Sequence, residues 1–263
     1  IEETLDTKIS FKKLTLQAQK VRRNKGAFVR VFDGQRWYYS STTDIPGIQV
    51  QIDTLAQMAA PHPDIAKHPV VQAFEVHQET QLQHQGDSVT DIPVQEKQAL
   101  LEGYLALIQD PAIVHHTSYY VDNKTVKSFY SSKGAAITFD KQTCGIRLTL
   151  ELACGENKDQ TNVSKAAVNF AGLQGWEKFI QEEIEKDIAF TREAEPVVPG
   201  EYPVLLSPEA TGVFTHESFG HKSESDFMVG DETMKAEWTL GKRIGQDLLT
   251  IIDDGMEPGN GFT

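Results

Sequence analysis

Cysteine is scarce in this sequence, with only Cys144 and Cys154 among 263 residues. Two thiols in a chain of this size provide no disulfide framework, and their spacing forms no Cys-x-x-Cys pair for metal or redox chemistry. A disulfide-stapled scaffold is therefore excluded. We expect a reducing compartment, the cytoplasm, to be the location of the protein.

Long apolar runs and an excess of positive charge are also missing. No apolar run approaches the roughly 18 to 20 residues that a membrane helix needs. The first residues also lack the pattern of a signal peptide, in which a charged segment is followed by an apolar one. Lys and Arg number 25 against 38 Asp and Glu, which gives a formal net charge of -13. Because this charge repels phosphate backbones and anionic membrane surfaces, we expect no direct binding of nucleic acid and no membrane association.

What remains is the composition of a folded protein, with 39% apolar and 24% charged residues. The length allows one large domain or two of ordinary size. The compact Pro/Gly segment at 195–200 is the best candidate for a domain boundary. We therefore predict an amino-terminal domain over 1–195 and the start of a second domain over 196–263.

Two stretches of the chain have the residue pattern of β-strands. Between Phe11 and Tyr39 we predict two or three strands, with a turn near Asn24-Lys25-Gly26 and a hairpin at Asp33-Gly34. Between 115 and 153 we predict a meander. Its strands are 117–121, 125–130, 135–139 and 146–152, and its turns are Asp122-Asn123 and Lys133-Gly134.

Apolar spacing at helical period predicts three helices, over 48–60, 94–109 and 176–192. Strands and helices do not alternate regularly along the chain. The fold class predicted is therefore α+β, with mixed or mainly antiparallel sheets and flanking helices, rather than a doubly wound parallel sheet.

The second predicted domain opens with a buried strand over 202–206 and then a helix. Ser207 is suited to cap that helix and Pro208 to occupy its first position. A further β-rich run is predicted over 248–252, followed by a turn at Asp253-Asp254-Gly255. The start of this domain is thus expected to be β-rich.

The helix after Pro208 leads into the segment His216-Glu217-Ser218-Phe219-Gly220-His221. A zinc peptidase needs neutral imidazoles to hold the ion, a carboxylate to take a proton from water, and an open coordination position for the substrate. His216 and Glu217 supply one candidate ligand and one candidate base. Taken as a bare pattern, however, a second histidine nearby occurs by chance in many chains.

The separation of the two histidines sets a geometric condition. Four residues turn an α-helix by about 400°, so the common His-Glu-x-x-His spacing brings both rings to one face. Five residues turn it by about 500°, which leaves the rings about 140° apart. We therefore predict that the helix is broken or widened, as in a π-bulge, at Phe219-Gly220, with Gly220 as the hinge.

Four blocks in order make the sequence resemble the TldD/PmbA family of zinc metallopeptidases, also known as the modulator of DNA gyrase family. They are Leu206-Ser207-Pro208-Glu209-Ala210, Thr215 to His221, Glu224-Ser225-Asp226-Phe227 and Ile251-Ile252-Asp253-Asp254-Gly255. The sheet residues Gly26 to Val31 and Phe129 to Ala135 also resemble the family, so the likeness spans nearly the whole chain.

The resemblance implies a hydrolase, a metalloprotease of small or unfolded peptides that uses Zn2+. By that resemblance His216 and His221 are the metal ligands, and Glu217 is the general base acting on zinc-bound water. Glu224 or Asp226 could accept a hydrogen bond from a ligand imidazole, although surface acids are an equal alternative.

The family is longer than this chain, and its third protein ligand is a cysteine beyond the Asp-Asp-Gly block. Neither Cys144 nor Cys154 matches that position. Because catalytic zinc sites normally have three protein ligands, we expect the isolated chain to bind zinc weakly and to be nearly inactive.

Two alternatives to the enzyme stay open. The chain could be a non-catalytic or partner-dependent family member that acts as a binding or regulatory subunit, in a homodimer or in a heterodimer with a paralogous subunit. The older family name also suggests a module that contacts a toxin, antitoxin or topoisomerase. The intact His216, Glu217 and His221 favour the enzyme.

Overall fold

A computed structural model describes residues 1–253 of the chain. By its internal contacts the described chain forms two units, Ile1–Ala194 and the residues from Glu195 onward.

Unit 1 begins with a long hairpin of β1 (Glu2–Lys12) and β2 (Thr15–Phe32). The hairpin turns at Lys13, whose φ is 52°. The turn predicted at Asn24-Lys25-Gly26 is wrong, because these residues pair with the first residues of β1 and stay extended. Beyond Gly26, β2 pairs instead with β3 (Trp37–Thr42), and the predicted hairpin at Asp33-Gly34 is confirmed.

The centre of the sheet consists of β5 (Ile113–Tyr130) and β6 (Ala136–Cys154), which pair along their length. Four strands were predicted here, and the structure has two. The turn predicted at Asp122-Asn123 is wrong because both residues pair with β6 within the ladder and Asp122 is buried. The turn at Lys133-Gly134 is confirmed, with Gly134 at a φ of 102°.

Two further strands were not predicted, β4 (Gln78–Gln81) and β7 (Asn157–Ala167). Both are mainly polar and exposed, so they lack the apolar alternation that marks a half-buried strand. The strand order is β3-β2-β1-β5-β6-β4, with β7 also paired to β6. The pair β4·β6 is parallel and the others are antiparallel.

Unit 1 contains four α-helices: α1 (Ile48–Met58), α2 (Pro69–Gln72), α3 (Val94–Leu105) and α4 (Glu177–Glu193). The predicted helices over 48–60 and 176–192 are confirmed. The helix predicted over 94–109 ends earlier, at Leu105, because the next amides of Leu107 and Ile108 bond three residues back and tighten the turn.

Helices α3 and α4 provide the apolar side chains that cover one face of the sheet. Leu101, Tyr104, Ile180 and Ile184 pack with buried residues of β1, β5, β6 and β7 in a single core. The predicted α+β class is therefore confirmed: a mostly antiparallel sheet with flanking helices. No helix in the described part of the chain has the length and hydropathy that crossing a membrane requires.

Residues 195–253 contain helices but no strand: α5 (Pro208–Thr215), a π-helical turn (His216–Gly220), a 3₁₀ turn (His221–Ser223) and α6 (Glu232–Glu237). The strands predicted over 202–206 and 248–252 are wrong, and the β-rich character expected of this unit is not seen here. A strand needs a neighbour for its backbone hydrogen bonds. Among the described residues these segments have none, and Leu205 is 99% exposed. Asp254-Gly255 of the predicted turn lies outside the described residues.

Candidate metal centre

Helix α5 starts where the sequence predicts. The Oγ of Ser207 accepts a hydrogen bond from the backbone N–H of Ala210 at 3.2 Å, and Pro208 occupies the first turn. The cap satisfies an amide that would otherwise lack a partner at the helix start. The helix then carries the chain directly to His216.

At His216 the α-helix widens into a π-helical turn that ends at Gly220. The backbone N–H of His221 donates to the carbonyl of His216, which is an i to i+5 bond. This bond inserts one residue into the helical turn, so side chains five positions apart come to the same face. The predicted widening is thus confirmed. Gly220 itself has φ -55° and ψ -57°, a helical conformation open to any residue.

The widened turn brings three donor side chains together. One ligand atom each of His216, Glu217 and His221 lie within 4.8 Å of one another. The two imidazole centroids are 4.4 Å apart with an interplanar angle of 67°. His221 Nε2 lies 3.7 Å from Glu217 Oε2, and the two side chains are 46% and 64% exposed, so the cluster is open to solvent.

A fourth side chain contacts the cluster at the other ring nitrogen. Glu224 Oε1 lies 2.5 Å from His221 Nδ1. This carboxylate, followed by that of Glu217, raises the pKa of His221. Of the two acids named from the sequence, only Glu224 makes such a contact, because Asp226 Oδ1 accepts instead from the backbone N–H of Phe227.

An aromatic pair supports the widened turn. The ring of Phe219 lies 5.1 Å from that of Trp238, the residue that follows α6. The hydroxyl of Ser223 donates to the carbonyl of Phe219 at 3.0 Å. The two rings are 19 positions apart in the sequence, and no local pattern links them.

The donor set fits a zinc ion. Imidazole nitrogens and a carboxylate are ligand types that zinc accepts, and a catalytic site leaves one position open. Within residues 1–253 this is the one group of three or more His, Cys, Asp or Glu side chains with converging ligand atoms. The histidines of unit 1 form no such group, and Cys144 and Cys154 lie in β6.

Two models of known protein families match the sequence. The sequence matches the model of PmbA/TldA metallopeptidase domain 1 over residues 1–60. It matches that of the PmbA/TldA metallopeptidase C-terminal domain over residues 199–263. The chain belongs to the TldD/PmbA family. This family is one of metallopeptidases, and the candidate metal centre lies in its C-terminal domain segment.

Curated TldD/PmbA relatives are longer than this chain. A metalloprotease of Methanothermobacter thermautotrophicus is 28% identical over 180 residues, which cover 65% of this chain and 38% of the relative. A zinc metalloprotease TldD homolog of Saccharolobus solfataricus is 30% identical over 147 residues, or 54% of this chain and 32% of the relative. The matched chain thus spans well under half of either relative.

A solved structure supports the fold. A proposed modulator of a DNA gyrase from Thermotoga maritima superposes with a TM-score of 0.60 at 12% identity. The match covers 75% of this chain and 44% of that one. At this identity the likeness concerns the TldD/PmbA fold alone.

Proposed function

We propose that the chain carries the metal-binding segment of a zinc-dependent peptidase that hydrolyses small or unfolded peptides. The observation that supports this most directly is the convergence of His216, Glu217 and His221 within 4.8 Å on one π-helical turn. The names of the relatives, metalloprotease and zinc metalloprotease TldD homolog, support both the reaction and the metal.

His216 and His221 would hold the zinc through neutral imidazole nitrogens. When bound, zinc supplies a Lewis acid that polarises the scissile carbonyl. Catalytic zinc sites use three protein ligands, of which this turn provides the two imidazoles. The isolated chain is therefore expected to bind zinc more weakly than a protein with the complete ligand set.

Glu217 acts as the general base. Its carboxylate is adjacent to the ligand pair, with Oε2 at 3.7 Å from His221 Nε2, and it is exposed to entering water and substrate. It takes a proton from the attacking water and passes it to the leaving amine of the peptide. A positioned base of this kind contributes about 10²- to 10⁴-fold to the rate.

The test compares the full-length protein with its Glu217→Gln variant in zinc content and in hydrolysis of a mixed peptide library. We expect the variant to keep its zinc and to lose activity by about 10²- to 10⁴-fold. Glu209→Gln, a change of an exposed acid in the first turn of α5, is the matched control and should keep both. Unchanged hydrolysis in Glu217→Gln would refute the proposed base.

Assembly is part of the proposal. The enzyme would act on a peptide substrate as a homodimer or together with a paralogous subunit, without direct binding of nucleic acid or of a membrane. A non-catalytic binding subunit is the second candidate, and the complete His216, Glu217 and His221 set argues against it. Light scattering of the full-length protein, alone and with a paralogue, tests the assembly.

We also propose the cytoplasm as the compartment. Cys144 and Cys154 are both free thiols on strand β6. Ten residues of strand span about 33 Å, so the two sulfurs cannot pair with each other. Burial raises the pKa of the Cys144 thiol to about 12, which keeps it in the unreactive protonated form.

A further inference from the structure

The two ring nitrogens of His221 face two different carboxylates. Nδ1 lies 2.5 Å from Glu224 Oε1, whereas Nε2 lies 3.7 Å from Glu217 Oε2. The first contact is a hydrogen bond to a charged acceptor, whereas the second distance is too long for a hydrogen bond. The two sides of the ring are therefore chemically distinct.

We infer that Glu224 is a positioning residue that makes Nε2 the metal-binding atom of His221. A neutral imidazole has one N–H donor and one acceptor nitrogen, and an ionised carboxylate only accepts. A carboxylate bonded to Nδ1 therefore selects the tautomer with the proton on Nδ1. The lone pair is left on Nε2, the nitrogen on the side of Glu217. The metal-binding part of this inference rests on the proposed function.

The local backbone explains how Glu224 reaches the ring. The π-helical turn is followed by a 3₁₀ turn over His221–Ser223, and the backbone N–H of Glu224 donates to the carbonyl of His221 at 3.2 Å. In a 3₁₀ turn, side chains three positions apart eclipse each other. The change from π to 3₁₀ geometry thus brings the Glu224 carboxylate beside Nδ1 of the imidazole.

No other described side chain makes this contact with Nδ1. The hydroxyl of Ser223 donates to the carbonyl of Phe219, and Asp226 accepts from the amide of Phe227. Asp226 therefore serves as the matched control, an acid two positions from Glu224 that does not contact the ring.

The first test reads the tautomer without metal. Long-range ¹H–¹⁵N spectra of the metal-free full-length protein, recorded at alkaline pH and assigned with His221→Gln, report which nitrogen carries the proton. We expect Nδ1–H in the wild type and loss of that preference in Glu224→Ala. Glu224→Gln should restore it, because the amide oxygen still accepts a hydrogen bond. Asp226→Ala should leave it unchanged.

The second test measures zinc affinity of the same proteins by competition with a chelator. Loss of a hydrogen-bond partner to a ligand histidine typically weakens metal binding by about 10- to 100-fold. We expect a loss of that size in Glu224→Ala, a largely recovered affinity in Glu224→Gln, and wild-type affinity in Asp226→Ala. Circular dichroism checks that each variant is folded.

The outcomes separate the two proposals. Wild-type tautomer and zinc affinity in Glu224→Ala would overturn the role of Glu224 and leave the peptidase assignment intact. A wild-type protein that shows Nδ1–H at His221 but binds no zinc would refute the proposed function. The role of Glu224 in selecting the tautomer of His221 would then remain supported.

Discussion

Lys97 of α3 and Asp122 of β5 form an ion pair inside the core of unit 1. Lys97 Nζ lies 2.5 Å from Asp122 Oδ2, and the side chains are 3% and 0% exposed. The carboxylate also accepts from the backbone N–H of Thr7 at 3.0 Å and from the hydroxyl of Tyr120 at 2.8 Å. Burial and the Asp122 charge together raise the pKa of Tyr120, so it remains a donor.

Removal of one charge of this pair should strongly destabilise unit 1. We expect Lys97→Met to lower the free energy of unfolding by about 3–5 kcal/mol, because the Asp122 carboxylate stays buried without its counter-charge. The double variant Lys97→Met/Asp122→Asn should lose less than the two single variants summed, since no charge remains inside. Urea unfolding measures all three.

The control for this cycle is an exposed pair in α4, Lys178 and Glu182. Lys178→Met should change the free energy of unfolding by no more than about 0.5 kcal/mol. Additive losses in the Lys97 and Asp122 cycle would show that the two buried groups do not interact in solution.

His116 on β5 should make the stability depend on pH. Its side chain is buried, and Nδ1 has no hydrogen-bond partner among the described residues. Burial, followed by the charges of His115 and Lys13, lowers the pKa of His116 below its ordinary value of 6.5. The unfolded chain then binds the proton more readily, so stability present above pH 6.5 is lost as the pH falls through the folded pKa.

We expect the free energy of unfolding of the wild type to fall between pH 7.5 and 5 more steeply than that of His116→Leu. The difference in slope is at most about 1.4 kcal/mol per pH unit for one proton. His115→Leu, on the neighbouring and less buried position, is the comparison and should change the slope less than His116→Leu, because it removes only a secondary cause of the lowered pKa of His116. Equal slopes in wild type and His116→Leu would contradict the expectation.

At the scale of elements, Gly220 is part of a π-helical turn and is not a hinge with a left-handed backbone conformation. Its φ and ψ are helical. A methyl group added there would lie 3.5 Å from His216 Nδ1, an ordinary contact. We therefore expect Gly220→Ala to keep the zinc affinity of the full-length protein within a few-fold. Gly220→Ile should weaken it, because the added carbons crowd the His216 ring.

Gly212 in α5 offers the matched position for this comparison, since a methyl group added there meets nothing within 4 Å. Gly212→Ile should leave zinc affinity unchanged. If Gly220→Ala abolishes zinc binding, the turn needs the conformational freedom of glycine, as the sequence alone suggested.

The elements that sequence analysis identified are those with a strong local signal. Helices α1 and α4 have an apolar stripe at helical period, and α5 has its Ser207-Pro208 start. The widened turn at Gly220 followed from the five-residue spacing of two histidines. These features depend on neighbours within a few positions.

The elements that sequence analysis missed depend on partners that are far away in the sequence. Asp122-Asn123 has turn chemistry, yet strand pairing and Lys97 hold it extended in β5. Strand β4 has no apolar residue and forms by parallel pairing with β6. The contact of Trp238 with Phe219 joins rings 19 positions apart, and the choice of Glu224 rather than Asp226 as the partner of His221 depends on the geometry of successive turns, which no spacing rule supplies.

At the scale of the whole chain, every buried side chain of the described residues lies within 1–194. We therefore expect a fragment of residues 1–194 to unfold cooperatively in urea, with the midpoint of the 263-residue chain. Limited proteolysis of that chain should leave a resistant product of about the same length, identified by mass spectrometry, because exposed segments are cut first.

A fragment of residues 1–176 is the control, since it lacks α4 and its buried Ile180, Ile184 and Ile188. Loss of buried isoleucines costs about 2–5 kcal/mol each when they are truncated to alanine, which together rivals the total stability of a domain. That fragment should not fold. An unstable 1–194 fragment would instead show that residues beyond 194 contribute to the core.

The pairing of β1 with β5 has a consequence for the order of events on the ribosome. Thr7 and Asp122 face each other in the sheet but are 115 residues apart in the sequence. At about 5–20 residues per second, β1 waits roughly 6–23 s for β5 to be synthesised. During that interval its open edge could capture another nascent chain. The charges of Lys8 and Lys12 on β1 itself discourage such encounters.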